Sequence, residues 1–246
     1  MSGGHGDTAG RMAPYDHRNA AFPDAVSTRT SAFINAVYGW MCFGLAVTAV
    51  TAWVTASSPA LVRTILANGP FFWLLAFVQL GIVVVLSARV QQLSSTTAAV
   101  LFIVYSALTG LTLSFVLLAF TGDSIATTFL VSGGAFAGLA IYGTTTQRSL
   151  SAVGQFLFMG LIGVVLASIV GIFWHSDALQ FVVSLAGVVV FAGLTAYDAQ
   201  RLAVMARQAP PGNVQSYAIV GALALYLDFL NLFLFLLRFT GNRRQP

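Results

Sequence analysis

Apolar positions dominate this chain in long runs, broken by short polar links. A hydrocarbon core of about 30 Å is crossed by roughly 20 helical residues. Runs of that length cover Ser31 to Ala56, Phe71 to Arg89, Thr97 to Phe120, Ile125 to Gly143, Val153 to Trp174, Ala178 to Met205 and Tyr217 to Phe239. The links are Ser57 to Pro70, Val90 to Thr96, Thr121 to Ser124, Thr144 to Ala152, His175 to Asp177, and Ala206 to Ser216 with its Pro210-Pro211-Gly212 breaker. The pattern predicts an all-α integral membrane protein with seven transmembrane helices over residues 31–239. A polar tail, 1–30, precedes the helices and a short basic tail, 240–246, follows them. The first tail reads as disordered and lacks the apolar core of a cleavable secretory signal, so the first span acts as its own insertion signal.

Composition reinforces the pattern. Of 246 residues, 58% are hydrophobic and 7% charged, against about a quarter charged in soluble domains. All seven acids are Asp and all eleven bases are Arg, so each charge can be followed individually. The net charge of +4 comes from arginines flanking apolar runs, which suits lipid headgroups and not a nucleic-acid groove. With the N-terminus inside, Arg11, Arg18, Arg29, Arg89, Arg148, Arg201 and Arg207 lie on the inner side. Arg63, Arg238, Arg243 and Arg244 then lie outside, a bias that favours a cytoplasmic N-terminus. A seventh segment that re-entered instead of crossing would move the last three inside. The lone Cys42 excludes an intramolecular disulfide and reads as a buried small hydrophobe. Gly134 with Gly138, and Ser106 with Gly110 and Ser114, have the spacing of helix-packing seams. Trp40, Phe71, Phe72, Trp73 and Trp174 suit interfacial anchoring or the lipid-facing surface.

Two charges stand out. Asp7, Asp16, Asp24, Asp123 and Asp177 fall in the tail or links, but Asp198 and Asp228 fall inside apolar spans. A carboxylate at such depth costs at least about 2.5 kcal/mol, so it faces a partner or a wet cavity. At 1.5 Å per residue, Asp198 lies roughly 10 Å and Asp228 roughly 16 Å from the inner end, about one helical turn apart, so the two can meet. Meeting away from water, they hold one proton between them and titrate as a coupled pair. Arg89, at the inner end of the second span, either latches onto a carboxylate or snorkels to headgroups. Asp198 has a simpler alternative in an i,i+3 pair with Arg201. Tyr197, Arg201, Asn231 and Gln79 are supporting polar residues.

The sequence here resembles the Bax inhibitor-1 family, specifically its bacterial members. The resemblance is carried by Tyr105 to Ser114 (YSALTGLTLS), Leu194 to Gln200 (LTAYDAQ) and Ala224 to Leu237 (ALYLDFLNLFLFLL) followed by Arg238. It implies a seven-helix bundle with the last helix wrapped by the other six, a pH-sensitive aspartate pair at Asp198 and Asp228, and calcium leakage down its gradient. It places the protein in the bacterial inner membrane. Arg89 corresponds to the family's second-span arginine. Gln79 stands where related chains often carry an acid, which removes one Ca²⁺ or proton ligand. The resemblance implies no cofactor and no catalysis. Calcium is the permeant ion, held at most transiently by Asp198 and Asp228. Some bacterial relatives instead modulate a membrane-bound AAA+ protease, and that alternative gives the 1–30 tail a partner. Nothing in the chain fixes oligomeric state.

Enzymatic readings find little support. A retinal pump needs a lysine, and there is none. An intramembrane aspartyl protease needs a Gly-x-Gly-Asp motif where this chain has Leu225-Tyr226-Leu227-Asp228. His5 and His17 in the tail and His175 in a link lack partners for serine, cysteine or zinc chemistry.

Overall fold

The computed structural model describes residues 21–66, 69–174, 176–208 and 214–244. Within them the chain forms α1 (Ala21–Ala56), α2 (Pro59–Leu66), α3 (Gly69–Ala88), α4 (Ser95–Ala119), α5 (Gly122–Thr145), α6 (Ser151–Phe173), α7 (Asp177–Gln208) and α8 (Val214–Thr240). Seven of these are long and apolar enough to cross a membrane, which makes the molecule an all-α, multi-pass membrane bundle. Amphipathic α2 is the element not anticipated. Its eight residues lie in what reads as a plain link, too short to register as a span. The described helix α1 starts ten residues ahead of the expected span. Thr8, the three histidines and the Pro210-Pro211-Gly212 turn lie outside the described residues.

Helix starts follow local chemistry. Ser94 Oγ accepts the Thr97 N–H at 3.1 Å at the head of α4, and Thr121 Oγ1 accepts the Ser124 N–H at 3.3 Å at the head of α5. Each satisfies one of the donors a helix N-terminus leaves free.

The core gathers around α8, which packs against α1, α3, α4, α5 and α7, while α6 packs against α7. In its most apolar window 61% of residues are buried, more than in any other span. Its ends show how far it runs through the bundle. Near the start, Ser216 Oγ donates to the Leu93 carbonyl at the α3–α4 link. Beyond the far end, Arg244 N–H donates to Ala119 O and Asn242 O accepts from Thr121 N–H, at the α4–α5 turn. Since α4 runs the length of the bundle between those two links, α8 does so as well.

Small residues set the closest approaches. On α4 the stripe Ser106, Gly110 and Ser114 is buried, and a Cβ on Gly110 would stand 2.6 Å from the Thr48 carbonyl oxygen of α1. That seam is as expected. On α5 the seam differs: Gly134 and Gly138 are exposed with open space beside them. The inward stripe is Thr128, Ser132, Phe136, Ala140 and Gly143. A Cβ on Gly143 would overlap the Ala196 carbonyl of α7. Small-residue spacing locates a groove but does not say which face turns inward. Cys42 is likewise corrected. It is exposed, because α1 turns the neighbouring stripe Phe33, Val37, Met41, Thr48, Ala52 and Thr55 inward. Trp73 and Trp174 are exposed, as anchoring expects, whereas Trp40 packs edge-on against Phe102.

Candidate functional site

The two buried aspartates sit on adjacent antiparallel helices, α7 and α8, and their carboxyls lie within hydrogen-bonding reach of each other. Asp228 is 5% exposed, and its Oδ2 has no hydrogen-bond partner among the described residues. Asp198 is half-buried. The helix rise places Asp228 on α8 about one turn deeper than Asp198 on α7.

Arg201, one turn along α7 from Asp198, is the cation whose charge reaches that carboxyl. Arg89 is not brought to the pair. It lies just past α3, exposed, where its backbone N–H continues the helix to Val85 O. Both aspartates line a cavity of about 1020 Å³ bounded by α3, α6, α7 and α8. Its walls are mainly apolar, with Ser87, Gln91, Gln155 and Arg201 among the polar exceptions. Tyr197 and Asn231 also line it. The Asn231 amide donates to the Leu227 carbonyl at 2.8 Å, so its side-chain oxygen remains available. Among the described residues no third Asp, His or Cys joins the pair in a metal-holding cluster.

Gln79 lies elsewhere. It accepts from Thr109 Oγ1 at 3.3 Å, on the α3–α4 contact. That contact belongs to a second polar region on the opposite face of α8. There the Tyr226 hydroxyl and Thr48 Oγ1 are 2.6 Å apart, and Thr48 Oγ1 also reaches the Gly44 and Ser106 carbonyls at 2.9 Å. Tyr226 is two residues from Asp228, about 200° around the helix, so the hydroxyl network and the carboxyl pair face different helices. Sequence reasoning did not single out Thr48 with Tyr226, because neither is ionised at neutral pH. It also missed Gln200, whose Oε1 accepts the Leu150 N–H at 2.8 Å and whose Nε2 donates to the Arg148 carbonyl at 2.9 Å. The motif LTAYDAQ contained Gln200, but only the fold shows it pinning the α5–α6 link.

The charges also separate by end. Among the described residues Arg29, Arg89, Arg148, Arg201 and Arg207 share the end where α8 begins, and Arg63, Arg238, Arg243 and Arg244 share the other.

The family model described as inhibitor of apoptosis-promoting Bax1 matches residues 30–245. The chain is 51% identical over 211 residues to the inner membrane protein YbhL of Escherichia coli K12, covering 85% of this chain and 90% of that one. It is 42% identical over 215 residues to an uncharacterized protein of Borreliella burgdorferi, covering 87% of this chain and 93% of that one. It is 42% identical over 210 residues to protein RP147 of Rickettsia prowazekii, covering 85% and 89%.

Proposed function

Because this chain belongs to the Bax inhibitor-1 family, we propose that it is a pH-sensitive calcium leak of the bacterial inner membrane, controlled by Asp198 and Asp228. The observation that carries the reading is the pair itself: two carboxyls in mutual reach on adjacent helices, one buried with a free oxygen, at the edge of a large cavity. A proton held between them lets the carboxyls bond and ties α7 to α8. Losing that proton replaces the bond with repulsion. Two unit charges 4 Å apart repel by about 4 kcal/mol at an effective dielectric of 20, enough to bias a two-state helix contact. Ca²⁺ takes six to eight oxygen ligands, so two carboxylates helped by Asn231 and Tyr197 would bind it loosely and release it. Arg201 is the counter-charge at rest. A flexing α3 would be needed to bring Arg89 into that role.

The N-terminus is assigned to the cytoplasm, on the positive-inside rule applied to the arginine-rich end. The inner-membrane assignment follows YbhL by name and identity. The tail on which a protease-partner reading depends begins outside the described residues.

The test is Ca²⁺ flux against pH in liposomes holding only this protein. Wild type, Asp198→Asn, Asp228→Asn and the double variant are compared from about pH 5 to 8, the interval in which environment-tuned carboxyls act. Asparagine keeps the shape and hydrogen-bonding capacity of a protonated aspartate but cannot ionise. The wild-type leak should vary across the interval, each single variant should be flatter, and the double should add less than the sum of the singles. Flux no greater than in empty liposomes at every pH would move the partner-protein reading to first place. Wild-type profiles in both singles would return the aspartates to buried structural groups.

A further inference from the structure

At the arginine-rich end a separate cleft of about 800 Å³ opens between the α5–α6 link and the last turns of α7. Its charged lining residues are Arg148 from the link and Arg201 and Arg207 from α7, and no carboxylate lines it. Arg148 and Arg207 are exposed, and neither guanidinium has an acidic partner among the described residues. The Thr146 hydroxyl, which accepts the Arg148 N–H, adds a donor at the rim.

Three features separate this cleft from scattered surface arginines. First, the link presenting Arg148 is pinned, since Gln200 holds both its Arg148 carbonyl and its Leu150 N–H. A charge on a fixed backbone loses less freedom on binding. Second, α5 ends at Thr145, α6 begins at Ser151 and α7 ends at Gln208, which sets the cleft where spans leave hydrocarbon, at headgroup level. Third, the wall beside the arginines is apolar, with Val204 and Met205, and Val204 is exposed. A concentrated positive charge beside an apolar wall at that depth matches an amphiphile with an anionic head, and basic pockets between spans on the cytoplasmic side hold such headgroups.

We propose that this cleft binds the phosphodiester headgroup of an anionic phospholipid. Arg148 and Arg207 are the phosphate ligands, and the start of an acyl chain lies along Val204 and Met205. Arg201 lines this cleft and also the cavity around the aspartate pair. A headgroup bound here therefore competes with Asp198 for one guanidinium, and lipid occupancy becomes an input to the pair. That second step rests on the leak reading above; the binding itself does not.

The experiment is native mass spectrometry of the purified full-length protein with phosphatidylglycerol or phosphatidylcholine of equal chain length. Phosphatidylglycerol should be retained several-fold better. Arg148→Gln and Arg207→Gln should each weaken that retention about fivefold, the worth of one basic side chain at an anionic surface. Arg148→Lys should keep most of it, and Arg63→Gln at the opposite end should change nothing. Equal retention of the two lipids would overturn the site. So would an Arg63→Gln loss as large as that of Arg148→Gln, which would reduce the effect to overall charge. Displacement of phosphatidylglycerol by inorganic phosphate alone would reassign the cleft to a free anion. No ion flux is read, so failure here and failure of the leak reading are distinct results.

Discussion

Replacing Gly143 with alanine should loosen the bundle, although alanine is the better helix former. The added Cβ would overlap the Ala196 carbonyl oxygen across the α5–α7 contact, where backbone meets backbone and no side chain can swing away. Tolerated C···O contacts begin near ~3.3 Å, so the two helices must part by about 1 Å. Overpacking of this kind costs about 1–3 kcal/mol, against a gain of about 0.5–1 kcal/mol from removing a helical glycine. At about 2–4 °C per kcal/mol for a chain of this size, the net loss should lower the melting temperature by several degrees. Gly134→Ala is the matched control: the same chemistry on the same helix, with open space around it. It should melt at or slightly above the wild-type temperature. Thermal scans of both detergent-solubilised variants at one heating rate make the comparison, followed by liposome flux. Ala196 is two residues before Asp198, so Gly143→Ala should also shift the pH profile while Gly134→Ala leaves it alone. Equal melting of the two variants would refute the backbone-contact argument.

Three further outcomes are expected. Arg201→Gln should change the pH profile of the leak more than Arg89→Gln, because Arg201 is the cation beside Asp198; the reverse order in liposome flux would restore Arg89 as the latch. Tyr226→Phe should cost about 1 kcal/mol or less in unfolding by denaturing detergent, since Thr48 keeps two carbonyl acceptors and interhelical hydrogen bonds in bilayers average about 0.6 kcal/mol; a loss of several kcal/mol would mean that the network acts as a unit. Single cysteines at Thr8 and Gly212, in a Cys42→Ser background, should resist an impermeant maleimide added to intact cells, and labelling at either from outside would reverse the orientation.

The spans were legible because lipid imposes length and apolarity on every crossing, and the observed ends fall within three residues of the expected ones except at the start of α1, which lies ten residues early. The aspartate pair was legible for the same reason in reverse: a carboxylate inside an apolar helix must find company, and depth arithmetic named the companion. Orientation around each helix axis was harder to read. Spans apolar on every side carry little sign of which face turns inward, so Gly134 and Gly138 passed for a seam that Gly143 forms, and Cys42 passed for a buried residue. Arg89 and Arg201 lie at the same end of the bundle, and the sequence does not show which of them reaches Asp198; Arg201, one turn along the same helix, does. The Gln200 clamp joins positions fifty residues apart and had no local signature at all.

The chain order of the bundle bears on how the protein is made. The most buried of the spans, α8, leaves the ribosome after α1, α3, α4, α5 and α7, against which it packs. During synthesis at about 5–20 residues per second, those helices must wait in the bilayer for several seconds with their central contacts unmade. Buried hydroxyls such as Thr48 and Ser106 partly cover themselves by bonding to carbonyls in α1 and α4. The waiting intermediate thus has its polar groups provisionally closed, and arrival of α8 completes the contacts with α1, α3, α4, α5 and α7. A nascent chain halted before Val214 should therefore be a ready substrate for membrane quality control.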